Sequence, residues 1–151
     1  MSFLVRDIEL SDLDQILAIE VELFGSTAWN RDLFLDEISR IPGARWYQVL
    51  GIADQIIGYV GMATMGTTAD IQTIAVIPSQ QRHGYGAMLL GLALAEAKRR
   101  GIIEVFLEVA VENEPAIKLY ENFGFAQISI RPNYYGPGKN AYVMMRQVGE
   151  A

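Results

Sequence analysis

The stretch from Asp70 to Ala110 constrains the fold more than any other part of the chain. An apolar run, Asp70–Ile77, stops at Pro78. A polar loop follows over Ser79–Tyr85, and a helical pattern then runs from about Gly86 to Arg100 until Gly101 closes it. A second apolar run, Ile103–Ala110, comes next. Strand, helix and strand in this order make a crossover, the connection that parallel strands require.

The rest of the pattern builds around that unit. Phe3–Asp7 reads as a short strand. Ser11 offers an N-cap, with Asp12 and Asp14 in the first turn and Leu13, Ile16, Leu17 and Phe24 at helical spacing. Gly25-Ser26-Thr27 breaks this helix. Asn30 caps a second one with Leu33, Phe34 and Ile38 on one face, and Pro42-Gly43 ends it. Trp46–Ala53 and Ile56–Met65 form a hairpin around Asp54-Gln55. Asn113 caps a helix through Phe123, with Pro115 in its first turn and Gly124 at its end. Phe125–Ile130 and Asn140–Arg146 are the last strands, joined by a Pro/Gly/Tyr loop over Arg131–Lys139. The pattern predicts an α/β (α+β) fold: a mixed, mostly antiparallel sheet of about six to seven strands flanked by about four helices. At 151 residues, with no internal repeat or linker, residues 1–151 read as a single domain.

Composition narrows the chemistry. Lys and Arg number 12 against 18 Asp and Glu, a net charge of −6, which argues against binding nucleic acid and is compatible with a cationic substrate. Cysteine is absent, which removes thiol nucleophiles and thiolate metal sites. The single histidine, His83, cannot build a multi-histidine centre, so no metal is expected. No G-x-S-x-G motif supplies a hydrolase serine. The N-terminus is not a signal peptide, and the longest apolar-rich stretch, Ala87–Ala97, is too short to span a membrane. The expectation is a soluble, cytoplasmic protein without membrane association.

The loop Gln81-Arg82-His83-Gly84-Tyr85-Gly86 carries the densest signal. Two glycines one residue apart permit a tight turn and close approach of a ligand. The following helix N-terminus presents free N–H groups and partial positive charge, which suit a phosphate or pyrophosphate. A Walker A loop would need Gly-Lys-Ser/Thr, and a Rossmann fingerprint would need a third glycine where Leu89 stands. By itself, a glycine-containing turn of this kind also occurs without any ligand.

This loop resembles the Q/R-x-x-G-x-G/A signature of the GNAT N-acetyltransferases. Asn113-x-x-Ala116-x-x-Leu119-Tyr120-x-x-x-Gly124-Phe125 resembles the family's next motif, at the expected distance, and the element order agrees along nearly the whole chain. Within that superfamily, Thr73–Val76, Leu107-Glu108-Val109, Arg131-Pro132-Asn133-Tyr134-Tyr135 and Ala141–Met144 are similar to the RimI family of ribosomal-protein alanine N-acetyltransferases. The chain departs from that family's pattern at Ile77, His83, Ala110 and Glu112, changes that bear on the acceptor and leave the acetyl-CoA loop intact.

The resemblance implies a GNAT fold with acetyl-CoA as cosubstrate. It implies contacts to acetyl-CoA from the backbone of Ile74, Ala75 and Val76, from the loop Gln81, Arg82, His83, Gly84, Tyr85, Gly86 and Ala87, and from Asn113 and Tyr120. It gives Glu108 the role of general base and Tyr120 that of general acid, and it points to Tyr134 and Tyr135 as walls of an acceptor pocket; Trp29, near the break between the first two helices, is a further candidate for that groove. The acceptor it implies is the N-terminal alanine of a ribosomal small-subunit protein, the enzyme itself being a monomer or weak dimer. Read from the residues alone, Glu108 could equally be a strand-end salt bridge, Tyr120 and Trp29 core residues, Asn113 only an N-cap and His83 a solvated loop residue. An α-amine, with a pKa of about 7.7–8.0, demands less of a base than a lysine at about 10.4. The same motifs would serve acetylation of a polyamine or aminoglycoside, or a non-catalytic acetyl-CoA sensor.

Overall fold

The structure is a computed structural model that describes residues 2–148. Among these residues seven strands form one sheet in the order β1-β2-β3-β4-β5-β7-β6. The strands are β1 (Phe3–Asp7), β2 (Arg45–Ile52), β3 (Gln55–Met65), β4 (Thr68–Val76), β5 (Glu104–Ala110), β6 (Ala126–Arg131) and β7 (Ala141–Gln147). Four helices accompany them: α1 (Leu13–Phe24), α2 (Arg31–Ile38), α3 (Tyr85–Arg99) and α4 (Glu114–Asn122). The mixed architecture and the element order agree with the sequence reading, and β4–α3–β5 is the expected crossover, β4 and β5 pairing in parallel.

The chain forms two compact units: residues up to Ala63 with Gln72–Ala93, and Thr64–Ile71 with the residues from Leu94 onward. In the first unit β1, β2 and β3 run antiparallel, with Tyr47 opposite Gly61 and Val49 opposite Tyr59. Tyr47, Tyr59 and Gly61 therefore share one face. Gly61 is required there, because a Cβ would sit 2.0 Å from the Tyr47 ring. Helices α1 and α2 cover this face, each lowering one buried carboxylate onto a tyrosine: Tyr59 donates to Glu20 and Tyr47 to Glu37, both at 2.6 Å. α3 covers the opposite face, where Leu89 approaches Gly58.

Two local expectations are corrected. Ser11 does not cap α1; a 3-10 turn, Leu10–Asp12, precedes the helix, and Asp12 accepts the Glu9 N–H at 2.7 Å. Asp12 is not in the first turn of α1 either; it ends the preceding 3-10 turn, buried and bonded by both terminal nitrogens of Arg6 at 2.8 Å. On α2, Leu33 is 39% exposed, and the inward positions belong to Phe34 and Glu37. Asn30 does cap α2, accepting the Leu33 N–H.

In the second unit β5 pairs antiparallel with β7, and β7 with β6. Along β5, Val105, Leu107 and Val109 are buried, while Phe106, Glu108 and Ala110 on the other face are half-buried. This alternation leaves Glu108 on the more open face of β5. The parallel pairing of β4 with β5 covers only Thr68–Asp70 opposite Glu104–Phe106, so it ends two residues before Glu108.

Candidate active site

In the first unit, β4 leads into the glycine loop. A hydrogen bond from the Ile77 N–H to the Ile57 carbonyl ties the end of this segment to β3. Ala75 O lies so close to Gly58 that a Cβ there would approach it to 2.8 Å. Upstream, Gln72 and Thr73 are neighbours, yet they reach Glu37 at 3.5 Å and Glu20 at 3.4 Å, acids that both lie on the α1/α2 side. Both contacts precede Ile74, Ala75 and Val76 on β4.

The loop is braced from within. Gln81 donates from Nε2 to the Val76 carbonyl at 2.9 Å, and Gln80 and Gln81 N–H groups bond Ile77 and Pro78 carbonyls. Arg82 has φ +67 and Gly84 φ +83, a left-handed pair that turns the backbone into α3. The Met88 N–H bonds Gly84 O, which leaves the N–H groups of Tyr85, Gly86 and Ala87 in the helix's unpaired first turn. A Cβ at Gly84 would meet nothing within 4 Å, so the space above the loop is open. Open space, a positive helix end and unpaired donors are what a pyrophosphate needs. His83 is exposed, its Nδ1 3.1 Å from the Gln80 carbonyl, and Tyr85 packs edge-on against Phe3. Trp29 is half-buried, its ring 5.1 Å from the core ring of Phe34 and its N–H bonded to Glu20 at 2.9 Å.

In the second unit, the structure gathers Glu108, Tyr134, Tyr135 and Tyr120. Glu108 Oε2 accepts from Arg131 at 3.2 Å, and the Arg131 guanidinium lies 4.6 Å from the centre of the Tyr134 ring. Tyr134 and Tyr135 stack edge to face, centroids 4.9 Å apart. Their loop is held by its own bonds: Asn133 Oδ1 accepts the Gly138 N–H at 2.7 Å, and Asn140 Oδ1 accepts the Asn133 N–H at 3.0 Å. Burial pushes the Tyr134 phenol up, and Glu108 adds to this while Arg131 opposes it. The Tyr135 phenol is pushed up to about 12, by burial first and then by Tyr134 and Glu108. Tyr120 is the inward residue of α4, against Phe125, and burial followed by Tyr135 raises its phenol well above the ordinary range. Asn113 accepts the Ala116 N–H, which engages its side chain as the N-cap.

Residues 12–125 match the Acetyltransferase (GNAT) family. The chain belongs to this family. It is 32% identical over 146 residues to the ribosomal protein bS18-alanine N-acetyltransferase of Haemophilus influenzae, covering 93% of this chain and 96% of that one. It is 31% identical over 150 residues to the N-alpha-acetyltransferase RimI of Mycobacterium tuberculosis, covering 93% and 89%. The fold is similar to the crystal structure of the alanine N-acetyltransferase for the same ribosomal protein from Escherichia coli, with TM-score 0.87, 27% identity and coverage of 99% and 96%. The chain also spans 38% of a longer uncharacterised protein of Mycobacterium leprae, 35% identical over 143 residues, 91% of this chain. Among GNAT enzymes this one is therefore an N-acetyltransferase of RimI type. No helix among the described residues is long and apolar enough to cross a membrane.

Sequence reasoning missed two groups, one in each unit. Arg131 stands in the segment similar to the RimI family, but its pairing with Glu108 was not foreseen. Glu20 carried a signal that went unread: it follows Ile16 by one helical turn, an acid within the apolar stripe of α1.

Proposed function

We propose that this enzyme transfers the acetyl group of acetyl-CoA to the N-terminal α-amine of an alanine-starting ribosomal small-subunit protein, in the cytoplasm, as one domain spanning residues 1–151. The observation that carries this reading is Glu108 on the open face of β5, beside the two tyrosines of a self-braced loop. The names of the relatives support the acceptor.

Acetyl-CoA supplies an activated acetyl thioester. The residues for its pyrophosphate are the loop Gln81–Ala87, with Gly84 leaving room and the first N–H groups of α3 as donors. The backbone of Ile74–Val76 offers donors for the carbonyl oxygen that becomes negative during attack. Glu108 removes a proton from the acceptor ammonium, leaving the neutral amine that attacks the acetyl carbon. As the C–S bond breaks, Tyr120 donates its phenolic proton to the departing sulfur, and the proton that the nitrogen sheds on becoming an amide restores the phenol. The raised proton affinity of Tyr120 keeps the phenol protonated into the alkaline range. Trp29, Tyr134 and Tyr135 are assigned to the acceptor. The ring of Trp29 already rests on Phe34 and contributes only its remaining surface.

The test is CoA release with acetyl-CoA and two acceptors: the N-terminal hexapeptide of the ribosomal protein, and the same peptide with its α-amine blocked. Turnover on the free peptide alone is expected. Turnover on polyamines or aminoglycosides, with none on the peptide, would overturn the acceptor while keeping the reaction. Acetyl-CoA binding without any acceptor-dependent turnover would point to a sensor.

A further inference from the structure

Arg131 already holds one oxygen of the Glu108 carboxylate. The register explains how it gets there. Glu108 on β5 is opposite Val143 on β7, and Arg131 on β6 is opposite Ala141. Directly opposed residues share a face, and Ala141 and Val143 are two apart on one strand, so all four side chains lie on the same side of the sheet. The small Ala141 between them leaves the Arg131 chain free to pass across β7. Its Nη1 reaches Glu108 Oε2 at 3.2 Å, while the guanidinium plane rests on Tyr134.

We propose that Arg131 is a positioning residue that occupies the Glu108 carboxylate in the free enzyme and is displaced by the ammonium of the incoming acceptor, with Tyr134 as its parking surface. This rests on the reading of Glu108 as the base. A guanidinium cannot yield its proton near neutral pH, so while it holds Oε2 that oxygen cannot take one from the substrate. The acceptor ammonium can yield its proton, because an α-amine titrates near neutrality. The resident contact is suited to displacement. It is a single N–H bond rather than a bidentate fork, and the Arg131 side chain is 54% exposed. Exposed pairs of this kind are weak, and the ring of Tyr134 gives the cation a second place to stay. The preference for a charged amine comes from Glu108, and Arg131, as the resident competitor, sets how tightly that amine is held.

The experiment measures kcat and KM for an alanine-starting peptide with the full chain as wild type, Arg131→Gln and Arg131→Lys, each also in a Glu108→Gln background. Because no cation need be displaced, Arg131→Gln is expected to lower KM for the peptide by up to about fivefold, the scale of one exposed pair. Its KM for acetyl-CoA and its kcat should stay within twofold. Arg131→Lys should restore the higher KM. In the Glu108→Gln background, removing Arg131 should leave the peptide KM unchanged. A peptide KM that is unchanged or raised in Arg131→Gln, or a lowered kcat, overturns the proposal and makes Arg131 a brace for Glu108. Full kcat in Glu108→Gln alone would instead remove the base reading, and a lowered KM in Arg131→Gln would then still record displacement. Half-exposed Arg131 is not needed for folding, and an unchanged melting temperature in both variants checks this.

Discussion

Glu20 on α1 and Tyr59 on β3 share a buried hydrogen bond of 2.6 Å that holds two layers of the first unit together. The same carboxylate accepts the Trp29 N–H through Oε1 and the Thr73 hydroxyl through Oε2. Burial, and then the charge of Glu20, raises the Tyr59 phenol far above its ordinary range, so it remains a donor. Tyr59→Phe removes the best donor to Oε2 and is expected to destabilise the enzyme by about 1–3 kcal/mol. Glu20→Ala leaves Trp29 N–H, Tyr59 O–H and Thr73 O–H without their acceptor and costs more than Tyr59→Phe. Urea unfolding monitored by tryptophan fluorescence measures both. Equal midpoints for wild type and Tyr59→Phe would mean the bond contributes nothing.

Gly58 sets the distance between β3 and the backbone proposed to hold acetyl-CoA. An added Cβ would stand 2.8 Å from Ala75 O and 3.3 Å from the Leu89 side chain. Leu89 can shift; a backbone carbonyl in a sheet gives way only by moving its strand. Gly58→Ala is therefore expected to destabilise the fold by about 1–3 kcal/mol, the usual cost of overpacking. It should also weaken acetyl-CoA binding in calorimetry. Wild-type affinity in a folded Gly58→Ala enzyme would separate the position of Ala75 from cofactor binding.

The crossover, the hairpin and the caps at Asn30 and Asn113 were legible because each rests on local periodicity or on a single turn. The glycine loop was legible because left-handed backbone at Gly84 leaves a residue signature. Glu37 was not, since hydropathy marks a glutamate as outward and only the hydroxyl of Tyr47 makes its burial tolerable, while Glu20 was marked only by its place in the apolar stripe of α1. The pairing of Arg131 with Glu108 depends on the register of β6, β7 and β5, which no local window contains. Ser11 misled because its position matched a helix start, while Asp12 closed the preceding turn against Arg6 and the Glu9 N–H.

Asp12 gives the stability a defined acid limb. Burial opposes its charge, but the Arg6 hydrogen bonds and the Glu9 N–H outweigh that, and the carboxyl titrates below its ordinary value. A carboxyl with a lowered folded pKa binds its proton more readily in the unfolded chain, so protonation favours unfolding. Its contribution is complete above the unfolded value of about 3.9 and is lost as pH falls through the lower folded value. Asp12→Asn is expected to lower stability at neutral pH and to flatten the decline in stability below about pH 4. Thermal unfolding between pH 2.5 and 7 tests this, and parallel curves for the two proteins would contradict it.

The last prediction concerns the proposed acid. Tyr120 is 6% exposed, and burial followed by Tyr135 raises its phenol above the ordinary tyrosine value. A general acid fails when it loses its proton in solution, which an unperturbed tyrosine does near pH 10. Tyr120 should therefore remain competent through that range, and kcat should not fall between pH 8 and 10 on its account. Tyr120→Phe keeps the ring against Phe125 and removes only the proton, so kcat should drop by about 10²–10⁴ while the fold persists. Acetyl-peptide formation followed from pH 6 to 10 reads both effects. A descending limb near pH 10 that disappears in Tyr120→Phe would show the phenol titrating normally. A Tyr120→Phe enzyme with full kcat would mean that the departing sulfur takes its proton from another donor, and Tyr135, also raised to about 12 by burial and its neighbours, would be the next phenol to test.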